Sequence, residues 1–196
     1  MNYLAHAYLS FNQPEILAGN MISDFVKGKK RFEFSEGIQK GIMLHRSIDE
    51  FTDAHDATKN AKQFLKPAVG LYAGAFIDVA YDHFLARDTN EFSDESLLQF
   101  SLSVYTALDD YKDILPERFA RIFPYMKHDN WLYNYRTLNG AEKSFGGLAR
   151  RARYLENSSA VFECFKKNYD AIEFYYQSFF PDVKAFAYKE FTLMNG

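Results

Sequence analysis

Three side chains able to bind a metal ion recur at four-residue steps within the segment LHRSIDEFTDAHD. On an α-helix, His45, Asp49 and Asp53 are each rotated by only about 40° from the one before. One helix face therefore carries an imidazole and two carboxylates, ligands that suit manganese, magnesium or zinc. The alternative is an ordinary solvated face, on which Arg46 and Glu50 form an i,i+4 surface pair.

A second group of titratable residues lies in an otherwise apolar segment, LYAGAFIDVAYDHFL. If this segment is buried, Asp78 and Asp82 need a charged partner, because a buried unpaired carboxylate is costly or becomes protonated. A metal ion would supply that charge. Asp82 and His83 are about 100° apart on a helix, so both reach one ion only near the helix rim. The alternative is a pair of capped or salt-bridged aspartates that face solvent.

The third candidate is Asp24, in the segment ILAGNMISDFVKGKKR. Asp24 is suited to coordinate metal or to accept a proton from water. Asn20, one helical turn earlier, is suited either to orient a ligand or to pack between helices. His6 lies on a short apolar helix, where a lone histidine is usually a hydrogen-bonded core residue. His55 and His128 lie in polar contexts that are typical of surface groups.

Helices are predicted to position all of these residues, because helical periodicity runs through almost the whole chain and no convincing alternating strand pattern is present. One helix begins at Pro14 and runs to about Lys27, a second is capped by Ser35, and a third opens at Pro67. We therefore expect an all-α helical bundle, with residues 1–196 forming a single domain.

The composition favours a folded cytoplasmic protein. The chain is 47% hydrophobic and has 20 Phe and 14 Tyr, a load that requires a packed interior or a large contact surface. Cys164 is the only cysteine, which excludes an intramolecular disulfide and a four-cysteine zinc site. The N-terminal segment lacks signal-peptide features, and no apolar stretch is long enough to span a bilayer. The net charge of -3 gives no case for nucleic acid or an anionic membrane as partner.

Four separated strings resemble the acyl carrier protein phosphodiesterase family in identity, order and spacing: MNYLAHAYLS, GNMISDFVKG, GIMLHRSIDEFTDAH and AFIDVAYDHFLAR. The later strings NWLYNYRTLNGAEKSFGGLARRARY and YDAIEFYYQSFFPDVKAF are similar to the second half of that family. The resemblance implies an unusual branch of the HD phosphohydrolases, helical enzymes that bind metal through histidines and aspartates. Because Asp82-His83 reverses the order in that superfamily's name, its ligand pattern cannot be copied directly.

The resemblance implies hydrolysis of the phosphodiester that joins 4′-phosphopantetheine to a serine of holo-acyl carrier protein, with manganese the usual ion. We predict that the ligands come from five residues: Asp24, His45, Asp49, Asp82 and His83. One or two ions held by some of these residues would lower the pKa of bound water and polarise a phosphoryl oxygen. Asp24 or Asp78 would orient or deprotonate that water, and Arg46 would neutralise charge on the phosphoryl oxygens.

Two basic runs contrast with the slightly acidic chain and are predicted to bind the partner protein. The first basic run is Lys27, Lys29, Lys30 and Arg31, and the second is Arg150, Arg151 and Arg153. Carrier proteins of the kind that the resemblance implies are acidic, and local charge can steer a partner that net charge would repel. The alternative is a pair of solvated loop or helix-end clusters.

Two other functions remain compatible with the sequence. An HD-like hydrolase of a small phosphoester or nucleotide would turn over small substrates without a protein partner. A non-enzymatic helical protein that binds a carrier protein would show no metal-dependent turnover. A glycine-rich phosphate loop is not predicted, because neither GKK nor AGN has the required context.

Overall fold

The computed structural model describes residues 1–152 and 158–195, in which helices are joined by turns and no strand forms. The α-helices of this part are α1 Tyr3–Tyr8, α2 Pro14–Ile22, α3 Glu36–Ala54, α4 Asp56–Val69, α5 Ala73–Leu85, α6 Asp94–Asp109, α7 Glu117–His128, α8 Trp131–Asn134, α9 Leu138–Arg151, α10 Ser158–Lys167 and α11 Tyr169–Asn195. Short 3-10 helices span Ser23–Phe25, Gly28–Glu33, Gly70–Tyr72 and Lys112–Ile114. The prediction of an all-α fold is confirmed. Among the described residues, no helix combines the length and apolarity that crossing a bilayer requires.

An aromatic core holds together the helices that carry the candidate site. The ring of Tyr81 on α5 is buried and stacks on Phe179 of α11, with ring centroids 5.0 Å apart. Tyr176, one turn earlier on α11, packs against Phe84 of α5 at 5.8 Å. Burial of each such side chain contributes about 1.5–3 kcal/mol. Because α11 also packs against α3 and α4, it fixes α3 and α5 relative to each other.

Two glycines allow α2 and α3 to cross in close contact. A Cβ atom at Gly19 would lie 2.1 Å from the backbone oxygen of Ile38. A Cβ atom at Gly41 would lie 2.3 Å from a backbone oxygen of α2. Both positions therefore require a residue without a side chain. The close crossing brings Asn20 of α2 alongside His45 of α3.

Two helix boundaries differ from the predicted ones. The helix that begins at Pro14 ends at Ile22, and a 3-10 turn then carries Asp24. Pro67 does not open a helix but lies in the last turn of α4. The break comes three residues later, at Gly70, whose φ of 55° is a conformation that glycine adopts without strain. As a result, α5 is a separate helix that can turn its carboxylates towards α1.

Candidate metal centre

The metal-binding face predicted on α3 is met by a histidine from α1. His45 Nε2 lies 3.1 Å from Asp49 Oδ2, and His6 Nε2 lies 3.2 Å from Asp49 Oδ1. The two imidazole rings stack with centroids 3.8 Å apart and planes 16° apart. Each of the three residues offers a ligand atom within 4.8 Å of the other two. Two imidazole nitrogens and a carboxylate this close together suit one divalent ion.

Asp24 reaches the same group from the 3-10 turn that follows α2. Its Oδ1 lies 3.4 Å from His45 Nε2, and 73% of its side chain is exposed, so this side of the cluster is open to solvent. Arg46 Nη2 donates a hydrogen bond to Val26 O at 3.1 Å. Arg46 therefore ties the segment that carries Asp24 to α3.

His45 is held so that one ring nitrogen faces the carboxylates. Its Nδ1 lies 2.8 Å from Asn20 O, and because a carbonyl can only accept, Nδ1 carries a proton and donates it. Nε2 is buried and makes no well-directed hydrogen bond to a residue that the structure describes, although Asp24 and Asp49 both approach it. In the neutral ring, Nε2 then holds the lone pair, as in metal-binding histidines. An unpartnered nitrogen facing two carboxylates fits a divalent ion.

The positive charge of protonated His45 balances the negative charges of Asp24 and Asp49. Burial acts to lower the pKa of His45, but the carboxylates of Asp24 and Asp49 outweigh it and raise that pKa to about 9. Burial, together with the charge on His45, lowers the pKa of His6 to about 4. Burial acts to raise the pKa of Asp49, but the two histidines hold it well below its usual range. Because metal binding requires a neutral imidazole, a divalent ion would displace the proton of His45.

Asp82, one of the predicted ligands, lies against the start of α1. Its carboxylate accepts hydrogen bonds from the backbone N–H groups of Asn2, Leu4 and Ala5 at 3.3, 2.7 and 3.2 Å. The side chain is fully buried, and burial raises its pKa to about 7 against the opposing effect of these N–H groups. Asp82 therefore satisfies the free donors at the N-terminus of the helix that carries His6.

His83, another predicted ligand, has both ring nitrogens in hydrogen bonds elsewhere. Nδ1 donates to Tyr135 O at 2.6 Å, and Nε2 accepts from the hydroxyl of Tyr169 at 2.8 Å. These bonds join α5 to the end of α8 and the start of α11. The structure does not bring His83 into the cluster around Asp49.

Asp78 lies beside the cluster on α5. Its Oδ1 is 2.9 Å from the amino nitrogen of Met1, and that nitrogen is 3.6 Å from Asp49 Oδ1. Burial raises the pKa of Asp78, and the positive amino group opposes this shift. A carboxylate with a raised pKa near a candidate metal site is suited to take up a proton. The role of Asp78 in proton transfer stays a prediction.

The first basic run follows the turn that carries Asp24 and extends into the 3-10 helix Gly28–Glu33. Its three lysines are exposed, and the guanidinium of Arg31 lies over the ring of Phe32 at 4.7 Å. Within residues 1–152 and 158–195, none of its four cations is in an ion pair. These charges are therefore available to an acidic partner.

The second basic run lies at the end of α9. Arg150 and Arg151 occupy the exposed last turn of α9, whereas Arg153 lies outside the described residues. Burial raises the pKa of Tyr3 to about 12, an effect that Arg151 opposes and Asp24 reinforces. Arg151 and Asp24 therefore both interact electrostatically with the Tyr3 side chain.

His6 is the site residue that the sequence did not single out as a ligand. It is buried in an apolar helix, as a core histidine would be, yet its Nε2 faces Asp49, 43 positions along the chain. The available signal was a titratable ring among apolar neighbours, the same signal that indicated Asp78 and Asp82. A spacing pattern within α1 offers nothing further, because the partners of His6 lie on α3.

Comparison with known proteins places this chain in a family. The family model described as "Acyl carrier protein phosphodiesterase" matches residues 1–183. A protein of that name from Enterobacter sp. (strain 638) is 30% identical over 182 residues, covering 92% of this chain and 94% of the relative. Those of Salmonella paratyphi A (strain ATCC 9150 / SARB42) and Escherichia coli (strain K12 / DH10B) are each 30% identical and cover 94% of this chain and 96% of the relative. No solved structure matches the chain significantly. With a family match along nearly its whole length and relatives of similar extent, the chain belongs to the acyl carrier protein phosphodiesterase family.

Proposed function

We propose that this chain is a cytoplasmic, manganese-dependent phosphodiesterase that releases 4′-phosphopantetheine from holo-acyl carrier protein and leaves apo-carrier protein. Family membership supports the reaction and the protein substrate. The proposed metal dependence is supported by the convergence of His6, His45 and Asp49, whose ligand atoms lie within 4.8 Å of one another. The relationship to HD phosphohydrolases is part of the proposal.

The ion would be held by side chains from three elements. His6 and His45 supply imidazole nitrogens, Asp49 supplies carboxylate oxygens, and Asp24 supplies a further oxygen from the exposed turn. When bound, the divalent ion supplies a Lewis acid that makes water more acidic and polarises a phosphoryl oxygen. Interaction with His45 lowers the pKa of Asp24, so this carboxylate is ionised at neutral pH and can orient or deprotonate the attacking water.

One arginine side chain, that of Arg46, would stabilise the charge that develops on the phosphoryl oxygens. Arg46 uses one guanidinium N–H group on Val26 O and has other donors of the same fork, which match the spacing of two phosphoryl oxygens. Its neighbour in sequence, His45, belongs to the proposed centre. We therefore assign Arg46 to transition-state stabilisation.

Asp82 and His83 are assigned a structural role, because their polar atoms are already hydrogen-bonded. They hold α1 and α5 in place.

The mass of the carrier protein tests this proposal. Purified protein is incubated with holo-acyl carrier protein and Mn²⁺, in parallel with a sample containing EDTA, and the carrier is weighed by intact mass spectrometry. We expect loss of the phosphopantetheine group with Mn²⁺ and an unchanged mass with EDTA. Turnover of small phosphodiesters but of no carrier protein would favour the HD-like small-substrate hydrolase. Binding of a carrier without turnover would favour a binding protein.

The first basic run provides a prediction about the partner. Charge reversal by Lys29→Glu, Lys30→Glu and Arg31→Glu should lower kcat/KM for holo-acyl carrier protein by about 10-fold or more, because steering by charge changes association rates by about 10 to 1,000-fold. The loss should lie in association, and association of the wild type should slow as salt rises. Stopped-flow binding at several salt concentrations measures both effects.

A control on a distant surface separates steering from net charge. Lys166, Lys167 and Lys189 lie exposed on α10 and α11, which carry none of the proposed site residues. Their replacement by glutamate changes the net charge equally and should leave association nearly unchanged. Equal losses on the carrier and on a small phosphodiester would place the first basic run in the catalytic machinery. No loss on either substrate would leave it as solubilising surface charge.

A further inference from the structure

The side chain of Asn20 is fully buried and contacts both histidine segments of the cluster. Its Nδ2 donates to His6 O at 2.9 Å and to Ser10 Oγ at 3.1 Å. Its backbone oxygen accepts from His45 Nδ1 at 2.8 Å. One residue of α2 is thus joined by hydrogen bonds to α1 and to α3.

The carbonyl of His6 needs side-chain donors because α1 is short. The helix ends at Tyr8, and the backbone N–H of Ser10 bonds to Ala7 O at 3.2 Å, so it does not serve His6 O. Two side-chain donors replace the missing backbone N–H: Ser10 Oγ donates to His6 O at 2.8 Å, and Asn20 Nδ2 donates to the same oxygen at 2.9 Å. Side chains therefore fix the last turn of the helix that presents the His6 ring.

The orientation of the Asn20 amide follows from these partners. Because His6 O can only accept, the NH₂ group must face it. The amide oxygen, Oδ1, is then buried without a hydrogen-bond partner among the residues that the structure describes. A buried unsatisfied acceptor costs about 1–3 kcal/mol. The two hydrogen bonds that its NH₂ group donates to the histidine segment offset this cost and hold the amide against the end of α1.

We propose that Asn20 is a positioning residue for the metal centre. Its side chain fixes the end of α1 so that His6 Nε2 faces Asp49, and its backbone oxygen sets the ring orientation of His45. The close crossing of α2 and α3 keeps that oxygen within reach of the ring. The inference rests on the proposed metal-dependent function, but it concerns the placement of two histidines and is measurable without catalysis.

Metal affinity measures this placement. Asn20→Ala removes both side-chain hydrogen bonds and leaves the backbone oxygen. We expect the dissociation constant for Mn²⁺, measured from the electron paramagnetic resonance signal of the free ion, to rise about 10 to 100-fold, the effect of removing second-layer partners of metal ligands. Ser10→Ala, which removes the other donor to His6 O, should raise the constant by a smaller factor.

A buried hydroxyl on the same helix provides the matched control. Thr52 lies on α3 and donates to Ile48 O at 2.7 Å, a bond that involves neither histidine. Thr52→Val should lower thermal stability and leave the Mn²⁺ affinity of the folded protein unchanged. All affinities are measured below the unfolding transition of each variant, which circular dichroism locates.

The possible failures are distinguishable. If the wild type does not bind Mn²⁺, the metal-dependent function is wrong, and the positioning role is wrong with it. If the wild type binds Mn²⁺ and Asn20→Ala binds it equally well at reduced stability, the positioning role alone is overturned. If Asn20→Ala does not fold, Ser10→Ala decides, because wild-type affinity in that variant would show that support of the His6 carbonyl does not control the centre.

Discussion

Replacing Asp49 by alanine is expected to lower Mn²⁺-dependent kcat/KM on holo-acyl carrier protein by at least about 100-fold, the upper end of the loss caused by removing a second-layer partner. Asp49 joins the two candidate histidines, since Oδ1 lies 3.2 Å from His6 Nε2 and Oδ2 lies 3.1 Å from His45 Nε2. The substitution removes the carboxylate common to both contacts. The Mn²⁺ dissociation constant should rise in parallel with the loss of activity.

Asp53→Ala is the matched control for this prediction. Asp53 is the next carboxylate on the same face of α3, and it pairs with Lys62 at 2.6 Å, outside the cluster. Its replacement should leave turnover and Mn²⁺ affinity near the wild-type values, because exposed ion pairs contribute little. If Asp49→Ala retains as much Mn²⁺-dependent turnover as Asp53→Ala, Asp49 is not a ligand.

Replacing Asp82 by alanine is expected to act on stability. Three N–H groups at the start of α1, of which those of Leu4 and Ala5 are buried, lose their acceptor, and each buried unsatisfied donor costs about 1–3 kcal/mol. The free energy of unfolding should therefore fall by about 3 kcal/mol or more, which corresponds to a decrease in Tm of about 6–12 °C for a chain of this size. Urea titration followed by circular dichroism measures the change.

The response to metal separates a helix cap from a ligand. If Asp82 caps α1, the loss of stability appears in EDTA as well as in Mn²⁺, because the cap needs no ion. If Asp82 is a ligand, Asp82→Ala should match the wild type in EDTA and lose only the stabilisation that bound Mn²⁺ adds. Asp49→Ala is expected to lose the stabilisation that bound Mn²⁺ adds and serves as the reference for that loss.

The pairing of His45 with Asp49 is predictable from sequence because both residues lie on one helix. A four-residue step brings two side chains to the same face whatever the tertiary structure, and α3 runs unbroken through both. The all-α fold is predictable for the same reason, since helical periodicity is a local property. Local patterns therefore define half of the candidate centre.

Asp82 shows where a local pattern stops being sufficient. The apolar surroundings of α5 indicate that a buried carboxylate needs compensation, and the structure supplies it from backbone N–H groups 77 to 80 positions away. A metal ion and a helix N-terminus both compensate a buried carboxylate. The sequence does not distinguish these two partners, because the approach of α1 to α5 depends on the packing of the whole bundle.

His6 and Asp24 join the centre through tertiary contacts alone. His6 is placed by the buried bonds from Asn20 and Ser10, and Asp24 is placed by the end of α2 at Ile22. Neither residue shares a helix with Asp49. Their positions follow from the close α2–α3 crossing, which no spacing of titratable residues reveals.

Anomalous X-ray diffraction from crystals grown with Mn²⁺ tests the proposed metal centre. We expect a manganese peak bound by the Nε2 atoms of His6 and His45 and by the carboxylate of Asp49, with Asp24 beside it. Asp82 should remain hydrogen-bonded to the start of α1. A peak at Asp82 and His83, or none at the His6 cluster in crystals saturated with Mn²⁺, would contradict it.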